Sequence, residues 1–301
     1  GTFTGSALSS GSQAACPAAS GGCTISNLTI NSIQPAPVGL FGTVGPAATL
    51  SGIRLLQANV TGIQSVGAVV GSNAGELSFS SSTGTVTSSN SSGTGYGVGG
   101  VAGVNTGSLD RVFSTATVTG TAGANMLVGG VIGDNQTGGT LSNAYASSLV
   151  AISSGGYAGG LAGANSGSIT TSYAAGPVAG LATVSGGLVG NNASGTIANS
   201  FWDTTVTGQS AAVASNPAAG TSNHNAGLST ADMKTLANYN SATTANGNHD
   251  PNWDLITIWN PPVTGMLYPA LRDFLIPITV TANAVTKVYD ALPYSGTVSV
   301  R

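Results

Sequence analysis

Charge is what this sequence has least of. Only six residues are Lys or Arg and nine are Asp or Glu, 5% of 301 residues, against about 25% in ordinary soluble domains. Six cations neutralise too few phosphates for a nucleic-acid site, so nucleic acid is excluded as a partner. Aromatic residues stand at 6%, and histidine and cysteine occur twice each. No run approaches the ~20 apolar residues of a membrane helix. There is no Walker sequence, and no Gly-x-Ser-x-Gly elbow stands in a strand–turn–helix setting. Residue 1 opens neither a basic n-region nor an apolar h-region, so the expectation is a chain whose export signal has been removed, or a fragment. Conventional disorder needs low hydrophobicity and high net charge, whereas this chain is 41% hydrophobic with a net charge of −3.

Glycine is abundant, at 46 residues. It does not recur every third position, which excludes collagen. It recurs instead inside a longer unit. Gly-Ala-Val-Val-Gly-Ser-Asn begins at Gly67, Gly-Gly-Val-Ala-Gly-Val-Asn at Gly99 and Gly-Gly-Val-Ile-Gly-Asp-Asn at Gly129. Gly-Gly-Leu-Ala-Gly-Ala-Asn begins at Gly159, Gly-Gly-Leu-Val-Gly-Asn-Asn at Gly186, and a weaker copy at Val38. The last glycine of each unit falls at Gly42, Gly71, Gly103, Gly133, Gly163 and Gly190, with spacings of 29, 32, 30, 30 and 27. A Leu or Ile then precedes an aromatic residue at an even offset: Leu77/Phe79, Leu109/Phe113, Leu141/Tyr145, Ile169/Tyr173 and Ile197/Phe201. Even offsets predict one shared strand face. A third β-prone piece follows, such as 116–119 or 177–179.

Three short strands in about 30 residues cannot close a core alone, but stacked units can. The fold class expected is all-β: a parallel β-helix (β-solenoid) with coils ~4.8 Å apart and a C-terminal cap containing one short helix. A β-sandwich array and a propeller are the alternatives, although a propeller blade usually needs ~40 residues. Stacking predicts inward ladders of Leu, Val, Ile and aromatics, with Leu188 and Phe201 in the core. It also predicts an amide ladder of Asn73, Asn105, Asn135, Asn165 and Asn192, and glycines at tight, positive-φ corners. Low charge follows, because like charges would repel at coil spacing.

Four regions are expected. Residues 1–60 read as irregular coils and 61–210 as the regular repeats. Residues 211–275 read as a capping segment, with a loop at 211–225, a helix at 227–236 capped by Ser229 or Thr230, and a Trp/Tyr cluster. In that helix Met233 and Leu236 should share a face. From 276 a new alternating strand pattern starts and runs to Arg301.

The units Gly186 to Phe201 and Gly159 to Tyr173 resemble the GLUG motif: Gly-Gly-Leu-Val-Gly, an Asn, then Gly-x-Ile-x-Asn-Ser-Tyr/Phe. Residues 279–296, with Val288-Tyr289-Asp290 and Pro293-Tyr294-Ser295-Gly296, look like the start of an MBG-type β-repeat. The combination is similar to large bacterial surface adhesins of the filamentous-haemagglutinin type, exported by two-partner secretion. The resemblance implies a right-handed β-helical stalk outside the cell and an outer-membrane secretion partner for the full-length protein. It implies no single shared ligand.

Chemistry-bearing residues are scattered. Glu76, Asp110 and Asp134 fall at different offsets in successive repeats, unlike a stacked acid/base pair, and Asp110 beside Arg111 reads as a surface charge pair. His224 and His249 read as loop residues, remote from the cysteines. No catalytic, cofactor-binding or metal-binding residue is assigned, and no cofactor is expected. Cys16 and Cys23 flank a short turn-prone segment; a disulfide between them implies an oxidising compartment, with two free thiols as the alternative. Thr85/Thr87, Thr117/Thr119 and Thr205/Thr207 read as β-propensity rather than an ice-binding array. Asn27, Asn59, Asn90, Asn135 and Asn192 head Asn-x-Ser/Thr sequons. The function expected is a non-enzymatic, secreted or surface-attached adhesin segment. Its partners would be glycans or extracellular proteins, and further copies stacked through the solenoid ends. A stalk without a ligand is the first rival; a polysaccharide-active enzyme and an ice-binding surface follow.

Overall fold

The computed structural model describes residues 6–8, 13–15, 22–89, 97–121, 125–153, 155–180, 184–218, 220–275, 280–281 and 299–300. One coil shows how the repeat folds. Its strands are Leu127–Gly129, Ile132–Asn135, Thr140–Ser142, Tyr145–Ala146 and Val150–Ile152. Each pairs in parallel with its counterparts in the coils before and after. The stacks form four parallel sheets, called I to IV in the order the chain meets them, of five, eight, eight and twelve strands. The last two strands of a coil both join sheet IV. The molecule is a parallel β-solenoid, with five short strands per regular coil rather than the three expected.

Parallel register puts like on like. Leu50, Leu77, Leu109, Leu141, Ile169 and Ile197 form one interior column on sheet III. Val60, Val86, Val118, Val150 and Val178 form another on sheet IV. All are buried in one continuous core, together with Leu188. Each such side chain contributes roughly 1.5–3 kcal/mol by leaving water.

The asparagine ladder forms. Asn73 Nδ2 donates to Asn105 Oδ1, and the same 2.8 Å bond repeats from Asn105 to Asn135, Asn135 to Asn165 and Asn165 to Asn192. All five residues are buried. The amides of Asn73, Asn105, Asn135 and Asn192 also donate to the carbonyls of Gly75, Gly107, Gly139 and Gly195, closing the corner between sheets II and III. Asn73 Oδ1, at the end of the ladder, has no partner.

Two local expectations change. The repeat glycines do not supply positive φ. They allow backbones to touch: a Cβ on Gly99 would lie 2.2 Å from the Ala102 carbonyl oxygen, and one on Gly133 2.1 Å from the Val98 nitrogen. Positive φ falls instead on Phe79, Arg111, Asn143, Thr171 and Asn199, all at 49–51°. This left-handed residue turns the chain from sheet III to sheet IV, and it breaks the alternation that even offsets assume. Leu109 therefore enters the main core while Phe113 joins a second cluster on the outside of sheet IV. Phe79 is itself a corner residue; the rung partner of Phe113 is Ser81.

The C-terminal part also differs from expectation. Residues 211–225 are not a loop: Val213–Ser215, Thr221–Asn223 and Ala226–Leu228 add a last coil to sheets II, III and IV. The helix expected over 227–236 reduces to a 3-10 turn, Asp232–Lys234, followed by one α-turn, Ala237–Asn240. Met233 is buried but Leu236 is 40% exposed, so the two share no face. A turn not foreseen, Thr204–Thr207, is capped by Asp203 and ended by Gly208 at φ 70°. The Trp/Tyr cluster of 229–275 does not cover the solenoid end. It lies along the outer face of sheet IV, because Phe113, Tyr145, Tyr173 and Phe201 stack there as an apolar stripe that water would otherwise meet. Of residues 276–301, Val280–Thr281 and Ser299–Val300 pair antiparallel; the rest of the expected MBG-like start lies outside the described residues.

Replacing Asn135 tests the ladder. Asn135→Ala leaves one buried donor and one buried acceptor unpaired at about 1–3 kcal/mol each. Urea unfolding followed by circular dichroism should show a loss of about 2–6 kcal/mol. Ser210→Ala, exposed on the connection into the last coil, should stay within about 0.5 kcal/mol.

Candidate functional site

The outer face of sheet III carries two columns of short polar side chains. One is Thr49, Glu76, Ser108, Thr140, Ser168, Thr196 and Thr221; the other is Ser51, Ser78, Asp110, Ser142, Thr170, Ala198 and Asn223. All but Glu76, Asp110, Ala198 and Asn223 are Ser or Thr. Coil stacking sets a period of ~4.8 Å along the rod and strand geometry one of ~7 Å across it. Thr140, Thr196 and Thr221 are exposed. Ser78 is buried and donates to Ser51 Oγ at 3.2 Å; the exposed and half-exposed members form a hydroxyl lattice that can hydrogen-bond a laterally applied polar partner.

The carboxylates do not converge on it as an acid/base pair. Glu76 is exposed on this face. Asp110 shares the face but is committed: Ser142 Oγ donates to Oδ1 at 2.6 Å, Asn143 Nδ2 donates to it at 2.8 Å, and Arg111 lies 3.3 Å from Oδ2. Asp134 is on sheet II, where burial pushes its carboxyl up against the opposing effect of a bond from Gln136. Among the described residues, no three His, Cys, Asp or Glu side chains are placed to hold a metal ion.

The lateral segment 229–275 is held by three kinds of contact. Phe113 and Tyr145 stack at 4.7 Å, and Tyr145 and Tyr173 at 5.1 Å. Trp253, Trp259 and Tyr239 pack over Tyr173 and Phe201. Polar anchors then fix the register: Trp253 Nε1 donates to Asn199 O, Tyr173 Oη to Pro269 O, and Tyr268 Oη to Asp203 Oδ2. Finally, Arg111 pairs with Asp273 at 3.5 Å as well as with Asp110, and Arg54 donates to Asp273 O at 2.7 Å while its guanidinium lies over Phe274. The Asp110–Arg111 pair is thus part of a clamp. Asp203 was not singled out by sequence reasoning; its signal was an Asp before Thr-Thr-Val with Gly208 closing the turn.

Within this segment a cleft of about 500 Å³ opens beside Asn240, Asn252, Asp254 and Ile256. The Thr257 hydroxyl, and then the backbone N–H groups of Thr257 and Ile256, hold the Asp254 carboxyl down at about 2. The cleft therefore offers one fixed anion and no proton donor matched to it.

The other candidates separate. Cys23 is disulfide-bonded; the expected partner, Cys16, lies outside the described residues. His224 and His249 meet, with ring centroids 4.0 Å apart, which their separation in sequence did not reveal. Thr85 and Thr87 stack on Thr117 and Thr119 in sheet IV, whereas Thr205 and Thr207 sit in the turn Thr204–Thr207. Asn135 and Asn192 are buried in the ladder, closed to any glycan; Asn27 and Asn59 are exposed; Asn90 lies outside the described residues.

No family model matches the chain. Halomucin of Haloquadratum walsbyi is 45% identical over 69 residues, 23% of this chain and 1% of that protein. A "Putative Gly-rich membrane protein" of Evansella cellulosilytica is 39% identical over 124 residues, 39% of this chain and 12% of that protein. The chain thus spans a small part of the curated relatives it matches. The crystal structure of a "putative immunoglobulin A1 protease" from Bacteroides ovatus matches with a TM-score of 0.59 at 22% identity, over 83% of this chain and 75% of that one. At that identity the likeness is one of fold.

Two measurements probe the lateral segment. Phe201 is fully buried in the second cluster, not in the coil interior. Phe201→Ala should cost about 3–5 kcal/mol and expose 229–275 to limited proteolysis. Burial also pushes the phenols of Tyr145, Tyr173, Tyr239 and Tyr268 up, with Asp203 adding to the effect at Tyr268. Raised acids bind more protons folded than unfolded, so their stabilisation is complete below about pH 10 and is lost as pH rises further. Alkaline titration at 295 nm should show these four ionising together with unfolding.

Proposed function

We propose that this chain is a non-enzymatic segment of a secreted or surface-attached bacterial adhesin, a β-solenoid rod that presents a polar face to glycans or extracellular proteins. The observation that carries the reading is the hydroxyl lattice of sheet III, repeated coil after coil on an axis stiffened by continuous ladders. A lattice of weak identical contacts binds by multivalency, with each coil adding one more. The oxidised Cys23 and the names of the relatives, a halomucin and a membrane protein, support a location outside the cytoplasm. The GLUG and MBG resemblances point the same way, with export by two-partner secretion. Hydrolysis has less support: Asp110 is locked in a clamp and Asp254 stands alone in its cleft, and the protease named among the solved structures shares only the fold.

A stalk without a ligand is the second reading. It is favoured by the composition of the same face, which has no aromatic platform on which a sugar ring could stack.

Binding of the purified chain to glycan and extracellular-matrix arrays, with product analysis of retained glycans, separates the readings. The expected result is saturable binding without cleavage, abolished by Thr140→Lys with Thr196→Lys, which leave the fold intact because both side chains are exposed. Binding that survives the double substitution would move the site off sheet III. Absence of binding would leave the stalk, and product release would make the chain an enzyme.

A further inference from the structure

His224 and His249 are the only histidines of the chain, and the fold brings their rings to 4.0 Å with an interplanar angle of 29°. The backbone at each end of the pair fixes its place. His224 follows the last strand of sheet III, Thr221–Asn223, and turns the chain at φ 55°. His249 leaves a tight turn at 243–248, in which Asn248 N donates to Thr243 O and buried Asn246 donates to the carbonyls of Asn238 and Ser241. Both imidazoles are exposed. Contact between two exposed rings gains little from burial, so packing alone gives no reason for the pair.

We propose that His224 and His249 form a surface chelate for a divalent transition metal of the zinc, copper or nickel class. Neutral imidazole is a preferred ligand for these ions. Metal–nitrogen bonds of about 2.0–2.1 Å place two rings on one ion with centroids roughly 5 Å apart. Opening the present stack by about 1 Å reaches that arrangement, and rotation of two exposed side chains supplies it. Asp250, next to His249, adds negative charge beside the ion; its Oδ1 already accepts from Asn252 N. Water fills the remaining positions, in keeping with the absence of a third converging ligand among the described residues. The bound ion ties the 241–250 segment to the last coil. The proposal does not rest on the adhesin reading.

The test uses the full chain without a histidine tag. Calorimetric titration with zinc and copper salts at pH 7.5 should give one ion per chain, and saturating metal should raise Tm, because the folded pair binds and the unfolded chain does not. Binding should weaken as pH falls, because protons compete with the metal for the imidazole nitrogens. His224→Ala and His249→Ala should each weaken binding at least tenfold and remove the Tm shift, with unchanged circular dichroism. Two ions per chain, falling to one in either variant at unaltered affinity, would mean independent single-histidine contacts and overturn the chelate. So would a titration indistinguishable from that of the chain carrying both His224→Ala and His249→Ala.

Discussion

Every part of this molecule depends on parallel, in-register backbone pairing between successive coils. At ~4.8 Å spacing each residue faces its own counterpart one repeat away, so the sequence is constrained by what tolerates a neighbour of its own kind. Leu, Val and Ile do, and they fill the interior. Asparagine does because its amide is both donor and acceptor, so five can chain head to tail inside the core with no orphan except the oxygen of Asn73. Aromatics do by stacking, as Phe113, Tyr145 and Tyr173 show. Charges do not. The scarcity of Lys, Arg, Asp and Glu is the compositional shadow of the ladder.

The aromatic column creates a second constraint. Stacked outside sheet IV, it would leave an apolar stripe in water along several coils. The 229–275 segment answers it by running back along the rod, and the few charges are spent there: Arg54 and Arg111 come from the coils, Asp273 from the segment. Ion pairs this exposed contribute about 0–1 kcal/mol each, so they fix where the segment lies while Trp253, Trp259 and Phe201 supply the burial. The solenoid end receives no such cover from this cluster. It closes on small polar residues, Thr221 to Asn223, which suit an edge that meets solvent.

Much of this was legible in the sequence because the ladder repeats side-chain identity. The Gly-Gly-x-x-Gly spacing, the Leu/Ile column and the asparagines recur through the regular coils, and they report the same place. What was not legible repeats only a backbone state. Phe79, Arg111, Asn143, Thr171 and Asn199 share φ near 50° while only two of them are the same residue, so the corner they make was invisible, and with it the split of the Leu–aromatic pairs from Leu109/Phe113 onward between two cores. The last coil was missed because it keeps the register but drops the glycine motif. The lateral path of 229–275 and the meeting of His224 with His249 are tertiary facts: nothing local in either segment names its partner.

The same constraint bears on how such a rod could act. Its interior is committed to stacking and one flank to the aromatic cover, so the freedom to vary lies on the outward positions of sheets II and III. There the register copies any favourable side chain along the axis. A surface built this way differs from a pocket: it cannot concentrate many different groups on one small ligand, because neighbouring positions tend to be alike. It can repeat one modest contact at fixed intervals. A chain with this architecture is therefore suited to extended or multivalent partners, for which the sum over coils matters and the chemistry of any one coil does not. The non-repeating pairs that the fold does assemble, Asp110 with Arg111 and His224 with His249, occur where the repeat is broken: at a corner residue that carries a charge in one coil only, and at the last coil, which has no following copy to obey.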